Sequence, residues 1–216
     1  MIVLTAKITL ANGEVININQ NNILSIDGSI SARGDTKQPS YGIISNSGSL
    51  SFRDTDFKVL EYANNLLLVE GLTTEIFVKN TLTQKTEKVG EYITKKWNYN
   101  NENFVVDVSF GDNLEEMQDV EVEGISYDPR KPYKNFMNMA DFYKLLCSKT
   151  PSKYRFISFE SLSTRIKNIL ENTIINYDFL FSGNLWRQWT KLCEVCGLYI
   201  YKNEDGITTC QYSLGA

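Results

Sequence analysis

Ser182-Gly183-Asn184-Leu185-Trp186-Arg187-Gln188-Trp189-Thr190-Lys191-Leu192-Cys193-Glu194-Val195-Cys196-Gly197 places apolar residues at 185, 186, 189, 192, 193 and 196. That spacing is one face of a 3.6-residue helix. Ser182 or Asn184 offers a side-chain oxygen to the unpaired amides of the first turn. Gly197 accepts the left-handed conformation that ends a helix. Beyond it, Leu198-Tyr199-Ile200-Tyr201 and Ile207-Thr208-Thr209-Cys210 read as two strands about the turn Asn203-Glu204-Asp205-Gly206. One helix and one hairpin bury too little apolar surface to stand alone, so further elements must pack on them.

Upstream of this unit the pattern is helical. Asn138 caps a predicted helix over Met139–Ser148 with Phe142, Leu145 and Leu146 on one face. Leu162, Ile166, Ile169 and Leu170 predict a second helix over Glu160–Asn172, and Thr173–Phe181 reads as extended.

Before residue 127 the chain reads as strands. Val3–Leu10 and Glu14–Ile18 flank Asn12-Gly13, a type I′ hairpin signal. Ile23–Ser31, Tyr41–Asn46, Ser47–Arg53, Thr73–Asn80, Val89–Trp97, Phe104–Phe110 and Glu121–Ser126 follow as strands, with one small helix at Phe57–Asn64. A run of short strands with one small helix predicts an antiparallel β-barrel or a sandwich. Tyr127-Asp128-Pro129-Arg130-Lys131-Pro132-Tyr133-Lys134 breaks both patterns with two prolines and three basic residues. The fold class is therefore α+β, with a β-barrel domain at 1–126, a linker at 127–137 and a smaller α+β domain at 138–216. The sequence stops just after a strand, as a piece of a longer architecture would.

The totals narrow the function. The chain has 216 residues, four cysteines and no histidine. Histidine-dependent triads, proton shuttles and His-ligated metal sites are excluded, and four cysteines are too few for a disulfide scaffold. No run approaches the ~20 apolar residues of a membrane-spanning helix. Met1–Lys7 has neither a basic leader nor a long apolar core, so synthesis in the cytoplasm is the expectation. Residues 1–125 carry 10 Lys and Arg against 18 Asp and Glu, a net of −8, and the remainder carries +4. An acidic first part is unsuited to wrapping nucleic acid through its phosphates.

Candidate sites each have a plainer reading. Cys193-Glu194-Val195-Cys196 is a C-x-x-C, but both sulfurs lie on the apolar face and no second ligand pair exists, so packing is expected. Arg33-Gly34-Asp35 reads as a polar turn. Asp54, Asp56 and Asp112 read as turn or helix-cap residues, because the EF-hand glycine and glutamate are missing. Glu115-Glu116 and Glu121 with Glu123 read as solvated faces rather than a glycosidase pair. Tyr92, Trp97, Tyr99 and Phe104 gather about one hairpin as a stacking platform or, more plainly, as cross-strand packing. No catalytic, cofactor-binding or metal residue is assigned, and the chain is expected not to be an enzyme.

The order of features resembles the tail-hub, baseplate-hub or tail-tip proteins of tailed bacteriophages. The resemblance runs through Ser47-Gly48-Ser49-Leu50-Ser51-Phe52-Arg53-Asp54, Thr74-Glu75-Ile76-Phe77-Val78, Tyr92-Ile93-Thr94-Lys95-Lys96-Trp97-Asn98-Tyr99, Phe104-Val105-Val106-Asp107-Val108 and Asp112-Asn113-Leu114. It continues through the Trp-containing helix and the Tyr199–Cys210 hairpin. The resemblance implies a tail-tube-like barrel beside an α+β domain and a structural role without cofactors. It implies a homotrimer that closes or extends the tail tube, and a place in the virion among tube, distal tail and fibre or spike proteins. DNA would pass through without sequence-specific binding. Hubs of this kind carry two barrel-type domains per chain, whereas one is apparent here. The alternative is a receptor- or carbohydrate-binding tail module using the Trp97 region.

Overall fold

The computed structural model describes residues 2–33, 42–122, 136–176 and 183–212. Gly34 and Asp35, residues 123–135 (including Glu123 and most of the linker) and residues 177–182 lie outside them. The chain divides into two compact units. The first comprises Met1–Ser31, Asn46–Asp112 and Asn203–Gly206; the second comprises Ala32–Ser45, Asn113–Lys202 and Ile207–Ala216. Each has its own apolar core.

The first unit is built on β1 (Ile2–Thr9), β2 (Val15–Ile18), β3 (Ile23–Arg33), β4 (Gly42–Arg53), β5 (Thr73–Asn80), β6 (Thr86–Asn100) and β7 (Val105–Gly111). The strands run in the order β2-β1-β5-β6-β7-β4, with β3 beside β4. Alternation places Ala6, Ile8, Ile16, Ile18, Leu50, Phe52, Val106, Val108 and Phe110 in one buried core. The expected β-barrel is not formed, because the sheet is open. Among the described residues β2 pairs only with β1, and β3 only with β4. Closure requires the end strands to meet along their length, and β2 is four residues long. The apolar face is covered instead by α1 (Lys58–Asn64), which supplies Val59 and Tyr62, and by Leu67 and Leu68. Where β2 stops short, the Gln20 side chain accepts the amide of Leu4 at 2.6 Å, which blunts the edge of β1.

Two local departures have clear causes. The β1–β2 turn is not type I′, which needs positive φ at both central residues. Only Gly13 is left-handed, at φ 86°. Its amide donates to Leu10 at 2.9 Å and the Leu10 amide donates to Glu14 at 2.8 Å, the pattern of a three-residue loop. In β6 the register against β7 slips between Thr94 and Lys96. This bulge at Lys95 shifts the alternation, so Thr94 and Trp97, three apart, both face inward.

The second unit packs α2 (Met139–Lys149), α3 (Thr164–Asn172) and α4 (Leu185–Cys196) with the hairpin of β10 (Leu198–Lys202) and β11 (Thr208–Tyr212). Gly42 and Ile43 at the start of β4 pair in parallel with Tyr199 and Ile200. β8 (Phe136–Asn138) and β9 (Ile174–Asn176) form a separate two-stranded ribbon. The caps follow side-chain chemistry: Asn138 accepts the Ala140 amide at 2.7 Å, and Asn184 accepts the Arg187 amide at 2.9 Å. Gly197 ends α4 at φ 66°, with its amide bonded to the Cys193 carbonyl. α3 starts later than periodicity predicts. Ser163 is its cap, and Phe159–Ser161 form a 3-10 turn that leaves Leu162 extended.

Trp189 is the hub of this core. It is fully buried, stacks on Phe156 with centroids 4.1 Å apart, and meets Tyr143 edge-on at 5.3 Å. Its indole N–H donates to the Thr150 hydroxyl at 3.1 Å, so the polar end of a buried tryptophan is satisfied.

Candidate functional site

The acidic candidates serve the backbone. Asp54 is 3% exposed, and its carboxylate accepts the amides of Val59 at 3.2 Å and Leu60 at 2.9 Å, in the first turn of α1. It also accepts the Tyr99 hydroxyl at 3.2 Å, and burial followed by the Asp54 charge raises the Tyr99 pKa. Asp56 accepts the Lys58 amide at 3.5 Å and pairs with the Lys58 ammonium on the surface. Asp112 sits just before the next turn and also holds β4. Its carboxylate takes the Asn46 amide at 2.6 Å, and the 3-10 turn Leu114–Asp119 begins at Asn113 without a side-chain cap. Glu116 pairs with Lys153 at 2.8 Å, and Glu121 bridges to Asn184. Among the described residues no group of three or more acidic or cysteine side chains is placed to hold a metal ion.

The C-x-x-C sulfurs lie inside the second core. Cys193, Cys196 and Cys210 are buried and Cys147 is half-buried, all as free thiols. Burial pushes the Cys147 thiol up to about 11 and the Cys196 thiol up to about 12. Cys193 and Cys210 are raised by the same cause. A nucleophilic or metal-binding cysteine needs the thiolate, which this environment disfavours. Thiols raised above the ordinary 9.0 stabilise the fold in full below that pH, and the contribution falls away as pH rises through about 11 to 12. Denaturant midpoints should therefore be level from about pH 7 to 8 and drop toward pH 11, and a midpoint that rose there would contradict this placement.

The aromatic hairpin separates into two groups. Tyr92, Trp97 and Tyr99 pack against the first core. The Trp97 indole donates to the Val69 carbonyl at 3.1 Å, and Tyr92 tilts against Phe110 with centroids 4.9 Å apart. Phe104 stands away from them, 41% exposed, in edge contact with Phe57 at 5.0 Å. Packing is thus the role of three of the four. Arg33 ends β3, while the rest of that tripeptide lies outside the described residues.

A surface that the sequence reading passed over lies in the second unit. A groove of about 310 Å³ runs between the first turn of α3 and the outer side of β11. Arg165, Ile166, Ser163, Cys210 and Tyr212 line it. The Arg165 guanidinium lies 4.4 Å from the centre of the Tyr212 ring.

No family model matches the sequence, and no curated protein matches it. Among solved structures, the tail protein from Neisseria meningitidis MC58 aligns with a TM-score of 0.52 at 10% identity, over 96% of this chain and 51% of that one. This chain shares its fold with a tail protein. The 43 kDa tail protein of prophage MuSo2 from Shewanella oneidensis aligns with a TM-score of 0.48 at 10% identity, over 98% of this chain and 56% of that one. The chain thus spans about half the length of the tail proteins it matches. At such identity the tail-protein likeness concerns the fold, and no side-chain role is carried across. Among the described residues no helix is long and apolar enough to cross a membrane.

Proposed function

We propose that this chain is a structural component of a phage tail, of the tail-hub or baseplate-hub type, and not an enzyme. The observation that carries the proposal is the fold shared with the Neisseria meningitidis tail protein over 96% of this chain. The candidate side chains support it, since Asp54 and Asp112 hold backbone amides and the thiols are held protonated. In this role three copies assemble with other tail proteins in the virion, after synthesis in the host cytoplasm. DNA passes through the assembly without sequence-specific contacts. The net charge of −8 over residues 1–125 suits a surface that repels phosphate. The sheet of one chain is open, so in such an assembly neighbouring copies pair with or cover its edges. The glycan-binding alternative is less favoured, since Trp97 packs against the first core and its indole N–H bonds to the Val69 carbonyl.

The test is the native mass of the purified chain across a concentration series. Trimers or multiples of three are expected, and a strict monomer or dimer at all concentrations would count against the hub.

A further inference from the structure

From the groove beside β11, we infer that the second unit binds an extended, acidic segment of a partner protein by strand addition. In an antiparallel pair, successive residues alternate between bonding to the partner strand and pointing away from it. β11 pairs with β10 in the register Lys202 to Thr208, Ile200 to Cys210 and Leu198 to Tyr212. Thr208 spends both backbone groups on the far side: its amide donates to Arg155 at 3.0 Å and its carbonyl accepts from Ile157 at 2.9 Å. Alternation therefore turns the amides and carbonyls of Cys210 and Tyr212 to that same far side. There the neighbouring segment bridges in parallel once among the described residues, at Phe156 with Thr208, and then leaves for the turn Phe159–Ser161. The groove opens where it leaves. No described residue continues the ladder opposite Cys210 and Tyr212.

Unpaired main-chain groups repeating along an edge match the main chain of another extended segment, with side chains of that segment falling alternately into the groove. The sign of the partner follows from Arg165. It is exposed and enters no ion pair among the described residues, and its contact with the Tyr212 ring holds it at the groove wall. The first turn of α3 adds partial positive charge at the same wall. An Asp, a Glu or a terminal carboxylate on the incoming strand meets both. This surface goes beyond the tail reading and stands or falls independently of it.

The experiment selects a randomised hexapeptide library on the whole chain and measures amide hydrogen exchange with and without the selected peptides. Enriched peptides are expected to alternate β-prone residues with at least one acidic residue, and to slow exchange of the Cys210 and Tyr212 amides. Arg165→Glu, an exposed position, should weaken them roughly tenfold or more. Three results would overturn the proposal: no enrichment, peptides that bind Arg165→Glu equally well, or strong protection of both amides before any peptide is added. The last would show that this chain's own residues fill the edge.

Discussion

Trp189→Ala should cost the second unit about 3–5 kcal/mol, the range for removing a large aromatic from a core. The residue is 0% exposed and its ring is shared by Phe156 and Tyr143. Truncation opens a cavity beside both rings, and Tyr143 is held where it is by its hydroxyl bond to the Ile157 carbonyl at 2.7 Å. Truncation also removes the indole donor to the Thr150 hydroxyl, which keeps its own bond to the Leu146 carbonyl. For a unit of roughly 100 residues, each kcal/mol shifts the thermal midpoint by about 4–8 °C, so the transition moves by tens of degrees or is lost. Trp189→Phe keeps a stacked ring and should recover part of the loss. The check is denaturant unfolding of both variants followed by near-ultraviolet circular dichroism. A loss below about 1 kcal/mol would place the centre of this core elsewhere.

Gly48→Ala is the second large effect, in the first unit. A methyl group built on Gly48 falls on the Asp27 carbonyl oxygen of β3 and within 2.8 Å of the Phe110 ring. The Phe110 ring is held from its other side by Tyr92, which in turn lies over Gly90. Neither obstacle is the free end of a side chain, so β3 or the aromatic pair must move. Overpacking of this kind costs about 1–3 kcal/mol, and Gly48→Val should cost more. Equilibrium unfolding of the two variants measures it. If both matched the parent chain, β3 would not be seated so closely on β4.

These two positions also show what was legible in the sequence. The α4 face was readable because its periodicity is uninterrupted from Leu185 to Cys196 and its ends carry cap chemistry at Asn184 and Gly197. Gly48 was visible only as a glycine within a strand pattern, since its reason is a carbonyl oxygen contributed by Asp27. The same limit explains the barrel. Alternation marks each strand, but closure depends on whether distant end strands meet, which no local pattern records. Asp112 has the chemistry of a cap, and its bond to the Asn46 amide, 66 residues away in sequence, is visible only in the fold. The platform reading of Trp97 rests on aromatics clustered about one hairpin, and the bulge at Lys95 that turns Trp97 inward is invisible to a period of two. The groove beside β11 was missed for a related reason. Arg165 reads as an ordinary polar residue on the outer face of α3, and the unpaired edge appears only once Thr208 is seen bonding to Arg155 and Ile157.

The place proposed for this chain in a phage tail can be observed directly. Its most direct test is to purify tail particles from cells producing an epitope-tagged copy, and to locate the tag by gold-labelled antibody in electron micrographs. Label concentrated at one end of the tail tube is the expected result. Label absent from tails, with the protein remaining free in the soluble fraction, would contradict it.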